Sequence, residues 1–133
     1  MAKYVYPAIF TAEKEGGYSV NFPDLEGCYT QGETIEEALK MAEDVLNLTL
    51  YGLEEDGKDI TAPTEIRKLE LADDEFASLV FCDTVEYRRF FDNRAVKKTL
   101  TIPNWLNTMS EKAGINFSAT LQKALMQELN IEQ

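Results

Sequence analysis

Alternating apolar and polar positions near the start of the chain predict a β-hairpin. Residues 4–11 (YVYPAIFT) are rich in β-branched and aromatic side chains, and residues 18–22 (YSVNF) alternate as a second strand. The EKEGG segment between them is a turn signal. Because Pro7 cannot donate a ladder hydrogen bond, we expect the first strand to be an edge strand or to contain a bulge. Residues 28–31 (CYTQ) predict a third, short strand.

A helical period follows the third strand. Thr34 and Glu37 have the spacing of a capping box, in which each side chain accepts from the other residue's backbone N–H. Val45, Leu48 and Tyr51 widen the apolar stripe beyond what one sheet face needs, and we interpret the extra width as burial, with a second packing surface as the alternative. The stripe itself consists of Ile35, Ala38, Leu39, Ala42, Leu46, Leu50 and Leu53.

Two further apolar runs, residues 66–71 and 76–82, predict two more strands. Asp83 is placed to cap a short helix that runs to residue 91, with Glu86 again three positions later. The element order β-β-β-α-β(-β)-α predicts an α+β sandwich with its helices on one face of the sheet.

The last 41 residues predict one strand followed by two short helices. Pro103 stops the strand and lies where the first helix begins, and Gly114 ends that helix. The second helix starts near Asn116 or Ser118, either of which is a good N-cap. The strand, residues 97–103, places Leu100 and Ile102 on one side and Lys97, Thr99 and Thr101 on the other.

This C-terminal piece cannot bury its own apolar positions. A lone strand leaves both of its edges unpaired, and 41 residues are marginal for an independent core. We therefore expect a two-fold homodimer through residues 97–129, in which the strand pairs antiparallel with its own copy. Whether such dimers pair into tetramers is left open. The second helix would bury Phe117, Leu121, Ala124, Leu125 and Leu129.

Charge divides the 133-residue chain into the same two parts. Residues 1–92 carry 8 Lys and Arg against 21 Asp and Glu, a net charge of −13. Residues 93–133 carry 5 against 3, a net charge of +2. The first part suits a basic partner, whereas the second tolerates a polyanion. We place the domain boundary at 92/93.

The chain contains no histidine, which excludes histidine-based nucleophile pairs and histidine-ligated zinc. Cys28 and Cys82 have no metal-ligand spacing, so we expect two buried, reduced thiols. The N-terminus lacks a signal-peptide pattern and no apolar run is long enough to span a bilayer, so we expect a cytoplasmic protein with no membrane association. No catalytic residue, metal or cofactor is expected.

The acidic part resembles a known family. The tyrosine-proline start, the Gly-Tyr hairpin exit, FPDLEGCYTQG and T-x-E-E-A-L opening the helix are similar to the N-terminal domain of HicB antitoxins. The resemblance implies a partial ribonuclease-H-like α/β sandwich. It also implies a partner, HicA, a small basic toxin that cleaves mRNA, and the charge of −13 fits that partner independently.

The C-terminal part, KKTLTIPNWLNTMSEKAGINFSATLQKAL, resembles the ribbon-helix-helix segment found in one branch of the same family. The resemblance implies that the paired ribbon lies in the DNA major groove, where Lys97 reaches guanine and Thr99 and Thr101 contact base edges. Asn116 and Ser118, at the start of the second helix, would hold phosphate there. The alternatives are an ordinary solvent-facing strand for the threonines and simple helix capping for Asn116 and Ser118.

Candidate toxin-binding residues are the acids that flank the third strand, Asp24, Glu26 and Glu33. Charge complementarity there would raise the rate of encounter with a basic toxin. A metal-dependent nuclease is the enzymatic alternative. It would need a carboxylate on the central first strand, and residues 4–11 contain none. The acids available to it are Asp24, Glu26, Glu33, Asp73, Asp74 and Glu75.

The sequence thus predicts an antitoxin that occludes a HicA-like ribonuclease and represses its own operon by binding operator DNA as a dimer. A transcription regulator whose acidic domain senses another ligand or protein is the remaining alternative. Binding surfaces for a toxin and for DNA on one chain would allow toxin occupancy to alter DNA affinity.

Overall fold

The computed structural model describes residues 2–131 and has an α+β architecture. The chain forms two compact units, one ending at Arg94 and the other beginning at Ala95. Among the helices that these residues form, none combines the length and the apolar character needed to cross a membrane.

The first unit is built on a four-stranded antiparallel sheet. Its strands are β1 (Lys3–Ala12), β2 (Tyr18–Asn21), β3 (Tyr29–Gly32) and β4 (Glu75–Asp83), in the order β3-β2-β1-β4. The predicted hairpin and the third strand are confirmed to within one residue. β1 is the inner strand that carries the long pairing with β4.

Two helices belong to this unit, α1 (Ile35–Glu55) and α2 (Thr84–Phe91). Thr34 Oγ1 accepts from Glu37 N at 3.1 Å, and the carboxylate of Asp83 accepts from Val85 N at 3.0 Å. Both predicted N-caps are therefore confirmed, because a short polar side chain satisfies a backbone donor that the first helical turn leaves free.

A buried hydrophobic cluster lies between the sheet and α1. Alternate residues of β1 enter it, as expected for a strand with one covered face. On α1 the fully buried positions follow the helical period predicted from the sequence. The cluster consists of Tyr6, Ala8, Phe10, Val20, Phe22, Leu25, Cys28, Ala38, Ala42, Leu46, Leu50, Val80 and Cys82.

The predicted strand at residues 66–71 is wrong. Ile66–Lys68 is instead a 3₁₀ turn, closed by hydrogen bonds from Lys68 N to Glu65 O (2.9 Å) and from Leu69 N to Ile66 O (3.2 Å). Ile66 and Leu69 are the partly buried positions, and their spacing of three matches the 3₁₀ period rather than that of a strand.

The prediction that Pro7 marks an edge strand or a bulge is also wrong, because β1 pairs on both sides and its register with β4 is continuous through Pro7. Within β1, however, β2 pairs only with Ile9–Ala12, so Pro7 lies in the part of β1 whose one strand neighbour among the described residues is β4. An inner strand can accommodate proline where its partner on one side has already ended.

The wide stripe on α1 is only partly explained by burial. Val45 packs against the core and Tyr51 is half-buried, but 57% of Leu48 is exposed. The interpretation that all three are buried is therefore wrong at Leu48. The alternative, a second surface on this helix, fits the structure better.

The second unit contains α3 (Asn104–Lys112) and α4 (Phe117–Glu128). Gly114 has φ +72° just after α3, and Asn116 Oδ1 accepts from Ala119 N at 3.0 Å, so the helix end and the cap are as predicted. Between Ala95 and Ile131 no side chain is buried, and residues 97–103 pair with no strand that residues 2–131 form. The predicted stripe on α4 is therefore not covered by this chain alone.

Candidate functional site

The three acids predicted to contact a toxin flank β3, an edge strand of the sheet. Asp24 has an internal role as well: its carboxylate accepts from the backbone N (2.9 Å) and from the hydroxyl (2.5 Å) of Thr64. These bonds tie the β2–β3 loop to the segment after α1. Glu26 and Glu33 are exposed and are available to a partner.

The acids weighed for a nuclease do not form a metal site in the part of the chain that the structure describes. No group of three or more Cys, Asp or Glu residues within residues 2–131 comes together as ligands. β1 is central, as such an enzyme would require, but none of its ten residues is a carboxylate. The geometry therefore gives the nuclease alternative no support.

A buried ionic network fixes α2 against the end of α1. Glu54 accepts from the Tyr4 hydroxyl (2.7 Å) and the Thr84 hydroxyl (3.0 Å), and Arg88 donates to it at 3.1 Å. Arg88 also pairs with Glu55 and lies 4.5 Å from the centre of the Tyr51 ring. Side-chain exposure is only 7% for Glu54 and 17% for Arg88, so this pair resists solvent screening.

The network shifts the ionisation of its members. Burial opposes the charged form of Glu54, but the hydrogen bonds that its carboxylate accepts, among them those from Tyr4, Arg88 and Thr84, outweigh the effect of burial and lower the pKa of Glu54. Burial and the bond to Glu54 raise the pKa of Tyr4. The pKa of Arg88 is raised because its bonds to Glu55 and Glu54 outweigh the effect of burial.

Glu54→Gln is expected to lower the free energy of unfolding of the first unit at neutral pH. In acid, the variant and the wild type should differ less in this free energy. The pKa of Glu54 is lower in the folded state, so its charged carboxylate stabilises the fold at pH values above its unfolded-state pKa, near 4.5. This stabilisation is lost as the pH falls through the folded-state pKa. Urea unfolding at about pH 7 and about pH 4 measures both differences. Glu65→Gln, which breaks an exposed pair with Arg67, is the control and should change little at either pH. An equal loss for Glu54→Gln at both pH values would contradict the ionic role.

The two cysteines are buried and unpaired with each other, as predicted. Burial, followed by the nearby carboxylates of Glu43, Glu54 and Asp83, raises the pKa of Cys82 to about 12. Burial also raises the pKa of Cys28. Both side chains therefore remain protonated core residues.

The positions predicted to contact DNA are all exposed in the second unit. Lys97, Thr99 and Thr101 lie on the extended segment before α3, and Asn116 and Ser118 lie at the start of α4. Asn116 uses its side-chain oxygen to cap the helix, accepting from Ala119 N. All five side chains are therefore accessible to a ligand in the single chain.

An aromatic groove between α1, β4 and α2 was missed by the sequence analysis. Its apolar lining comes from Leu48, Phe81, Tyr87, Phe90 and Phe91. The exposed fractions are 52% for Phe81, 78% for Phe90 and 67% for Phe91. Two features of the sequence could have indicated this groove. They are the two adjacent phenylalanines at the end of the charged helix α2 and the apolar Leu48, which widens the stripe on α1 beyond the core.

Comparison with protein families gives a match across both units. The family model described as the HicB-like antitoxin of bacterial toxin–antitoxin systems matches residues 6–124. "Antitoxin HicB 1" of Photorhabdus laumondii is 45% identical over 58 residues, which is 44% of this chain and 37% of that protein. The chain thus aligns with less than half the length of this curated relative.

Solved structures extend the similarity to nearly the whole chain. One described as a toxin–antitoxin complex from Streptococcus pneumoniae has a TM-score of 0.62 and 33% identity, covering 95% of this chain and 99% of that one. The antitoxin HicB of Burkholderia pseudomallei has a TM-score of 0.53 and 20% identity, covering 95% and 98%. At 20% identity, the similarity to the Burkholderia pseudomallei structure supports only the fold of this chain.

Proposed function

The chain belongs to the HicB-like antitoxins of bacterial toxin–antitoxin systems, and from this we propose that it neutralises a HicA-like mRNA-cleaving toxin and represses its own operon. The acidic unit binds and occludes the toxin, and the second unit dimerises and binds operator DNA. No catalytic step, metal or cofactor takes part.

The observation that carries the proposal is the opposite net charge of the two units, together with the apolar side chains that the second unit leaves exposed. Residues 1–92 have a net charge of −13, suited to a basic protein, whereas residues 93–133 have a net charge of +2. The second unit leaves Leu100 59% and Ile102 48% exposed, as a segment that completes its core with a second copy would. The family match spans both units.

We assign a partial ribonuclease-H-like sandwich to the first unit and a ribbon-helix-helix arrangement to the second. The four-stranded antiparallel sheet with α1 packed on it supports the first assignment. An extended segment followed by α3 and α4 supports the second, with residues 97–103 forming a strand only when two copies pair.

Growth rescue tests the toxin half of the proposal. A small basic protein encoded beside this chain should arrest growth when produced alone, and co-production of this chain should restore growth. The two proteins should also co-purify. If the neighbouring protein is neither toxic nor bound, the antitoxin role fails, whereas operator binding can still stand.

The double substitution Thr99→Ala, Thr101→Ala is expected to remove operator specificity and to leave toxin neutralisation intact. Loss of base contacts costs about 1–3 kcal/mol for each good contact, so operator affinity should fall toward that for unrelated DNA. Gel-shift titrations with operator and with scrambled DNA, at one salt concentration, measure the ratio of the two affinities. Thr108→Ala, Thr120→Ala is a matched control, since both threonines are exposed on the helices. Loss of toxin neutralisation by the first pair would contradict separate binding units.

A further inference from the structure

The aromatic groove exposes more apolar surface than the fold itself requires. Leu48, Phe81, Phe90 and Phe91 are each more than half exposed, and they line one continuous depression with Tyr87. Scattered apolar residues are normal on a protein surface, but a contiguous patch bordered by polar groups marks an interaction site.

The rings in and beside the groove are already ordered against one another. Tyr51 and Tyr87 have centroids 5.3 Å apart, Tyr87 and Phe91 4.6 Å, and Phe90 and Phe91 4.8 Å. Such a prearranged set loses little side-chain entropy when a partner binds. Arg88 packs over Tyr51 beside Glu54 and Glu55, so the chain itself shows how an aromatic ring and carboxylates hold a guanidinium here.

The polar border of the groove is acidic. Four carboxylates line it, from Glu43, Asp44, Asp83 and Glu86, and none of its described lining residues is Lys or Arg. Asn47 is also part of the wall, and its Oδ1 is a buried acceptor that no donor within residues 2–131 reaches. Aromatic faces, carboxylates and an unpaired acceptor all favour a ligand that carries cationic N–H donors.

The strand beside the groove has one edge with which no strand among residues 2–131 pairs. β4 pairs with β1 on one side and ends the sheet on the other. Residues 76–82 (FASLVFC) contain neither a charged residue nor a proline, the features that commonly protect an edge from further pairing. An extended segment of a partner can therefore lie along β4 while its side chains reach the groove.

We propose that this groove is the anchor site for the toxin, and that it receives a lysine- or arginine-bearing segment of that basic protein. The inference rests on the proposed antitoxin function and locates the toxin-binding interface at the groove between α1, β4 and α2. A second copy of this chain is the less suitable occupant, because two such borders would bring eight carboxylates together.

Toxin-binding kinetics of the full-length chain test the assignment. Phe90→Ala, Phe91→Ala should weaken toxin binding about 30-fold or more, mainly through faster dissociation, because buried aromatic anchors dominate interface energies. Glu43→Lys, Asp44→Lys should weaken it at least about tenfold by placing cations at the border. The matched reversal at the other acidic surface, Glu26→Lys, Glu33→Lys, should mainly slow association and reduce its salt dependence while leaving dissociation unchanged.

The possible results separate this inference from the proposed function. If wild type binds the toxin and Phe90→Ala, Phe91→Ala dissociates at the wild-type rate with a native tyrosine near-UV spectrum, the groove is not the anchor and the antitoxin role stands. If that variant changes only the oligomeric state in sedimentation velocity, a second copy occupies the groove and the inference is overturned. If the wild-type chain does not bind the toxin, the proposed function fails, and the anchor assignment fails with it.

Discussion

Gly32→Ala is expected to destabilise the acidic unit by about 3 kcal/mol, a large share of the stability of a domain this size. A Cβ at this position would lie 2.5 Å from Ala38 N, 2.7 Å from Ala38 Cα and 2.9 Å from Glu37 C. All three are backbone atoms of α1, so no side chain can rotate away to make room. The helix would have to move off β3, against which it packs.

Gly52→Ala is the matched control because it makes the same chemical change in the same unit. Gly52 lies within α1, and a Cβ there meets nothing within 4 Å. Alanine should therefore stabilise the helix by about 0.5–1 kcal/mol, since glycine is a poor helix residue. The two substitutions are expected to have opposite signs although both replace hydrogen by methyl.

The chain carries separate spectroscopic probes for its two units. All six tyrosines lie before residue 95, and the single tryptophan, Trp105, lies after it. Urea unfolding followed by tyrosine near-UV circular dichroism should move to lower urea in Gly32→Ala, while Trp105 fluorescence follows the second unit. A wild-type tyrosine transition in Gly32→Ala would show that β3 and α1 are not in close contact in solution.

Local signals were sufficient to predict much of the first unit. The hairpin depends on alternation and a glycine turn, and the starts of α1 and α2 depend on Thr34 and Asp83, whose effects act within three residues. These interactions are local and do not depend on residues that are distant in the sequence. For this reason the four strands that are present and both helices of the unit lie close to their predicted bounds.

The errors concern positions whose environment is set by distant residues. Residues 66–71 have enough aliphatic side chains for a strand, but Ile66–Lys68 closes a 3₁₀ turn instead. Pro7 is tolerated in an inner strand because β2 stops short of it, which no local pattern reveals. Leu48 belongs to a groove completed by β4 and α2, about 30 residues or more later in the sequence.

The binding residues could be predicted only as chemical types. Sequence identified an acidic part and a short basic strand, and the exposed positions of Glu26, Glu33, Lys97 and Thr99 are compatible with those roles. Asp24 shows the limit of this reasoning, because both of its carboxylate oxygens accept hydrogen bonds from Thr64. Charge in the sequence does not distinguish a docking side chain from one that holds a loop.

Ile102→Asp is expected to make the chain monomeric and to reduce operator affinity more than about 100-fold, while toxin still binds with a 1:1 ratio. In the single chain Ile102 is 48% exposed, Leu125 49% and Leu129 60%. In the proposed dimer, a second copy of the chain buries these residues. In the two-fold dimer, each copy of the variant would place one aspartate in the shared core, and neither carboxylate would have a partner for its charge.

Thr101→Asp, one position earlier, is the decisive control because alternation places it on the opposite side of the same strand. It should remain dimeric in sedimentation equilibrium and still lose operator binding, since its carboxylate would face phosphate and base acceptors. The pair of variants thus separates dimerisation from DNA contact with one residue type. A dimeric Ile102→Asp chain would contradict the two-fold pairing, and operator binding by Thr101→Asp would contradict DNA contact by this strand. Because both substitutions lie outside the acidic unit, either variant should still neutralise toxin if the two units act as separate binding surfaces.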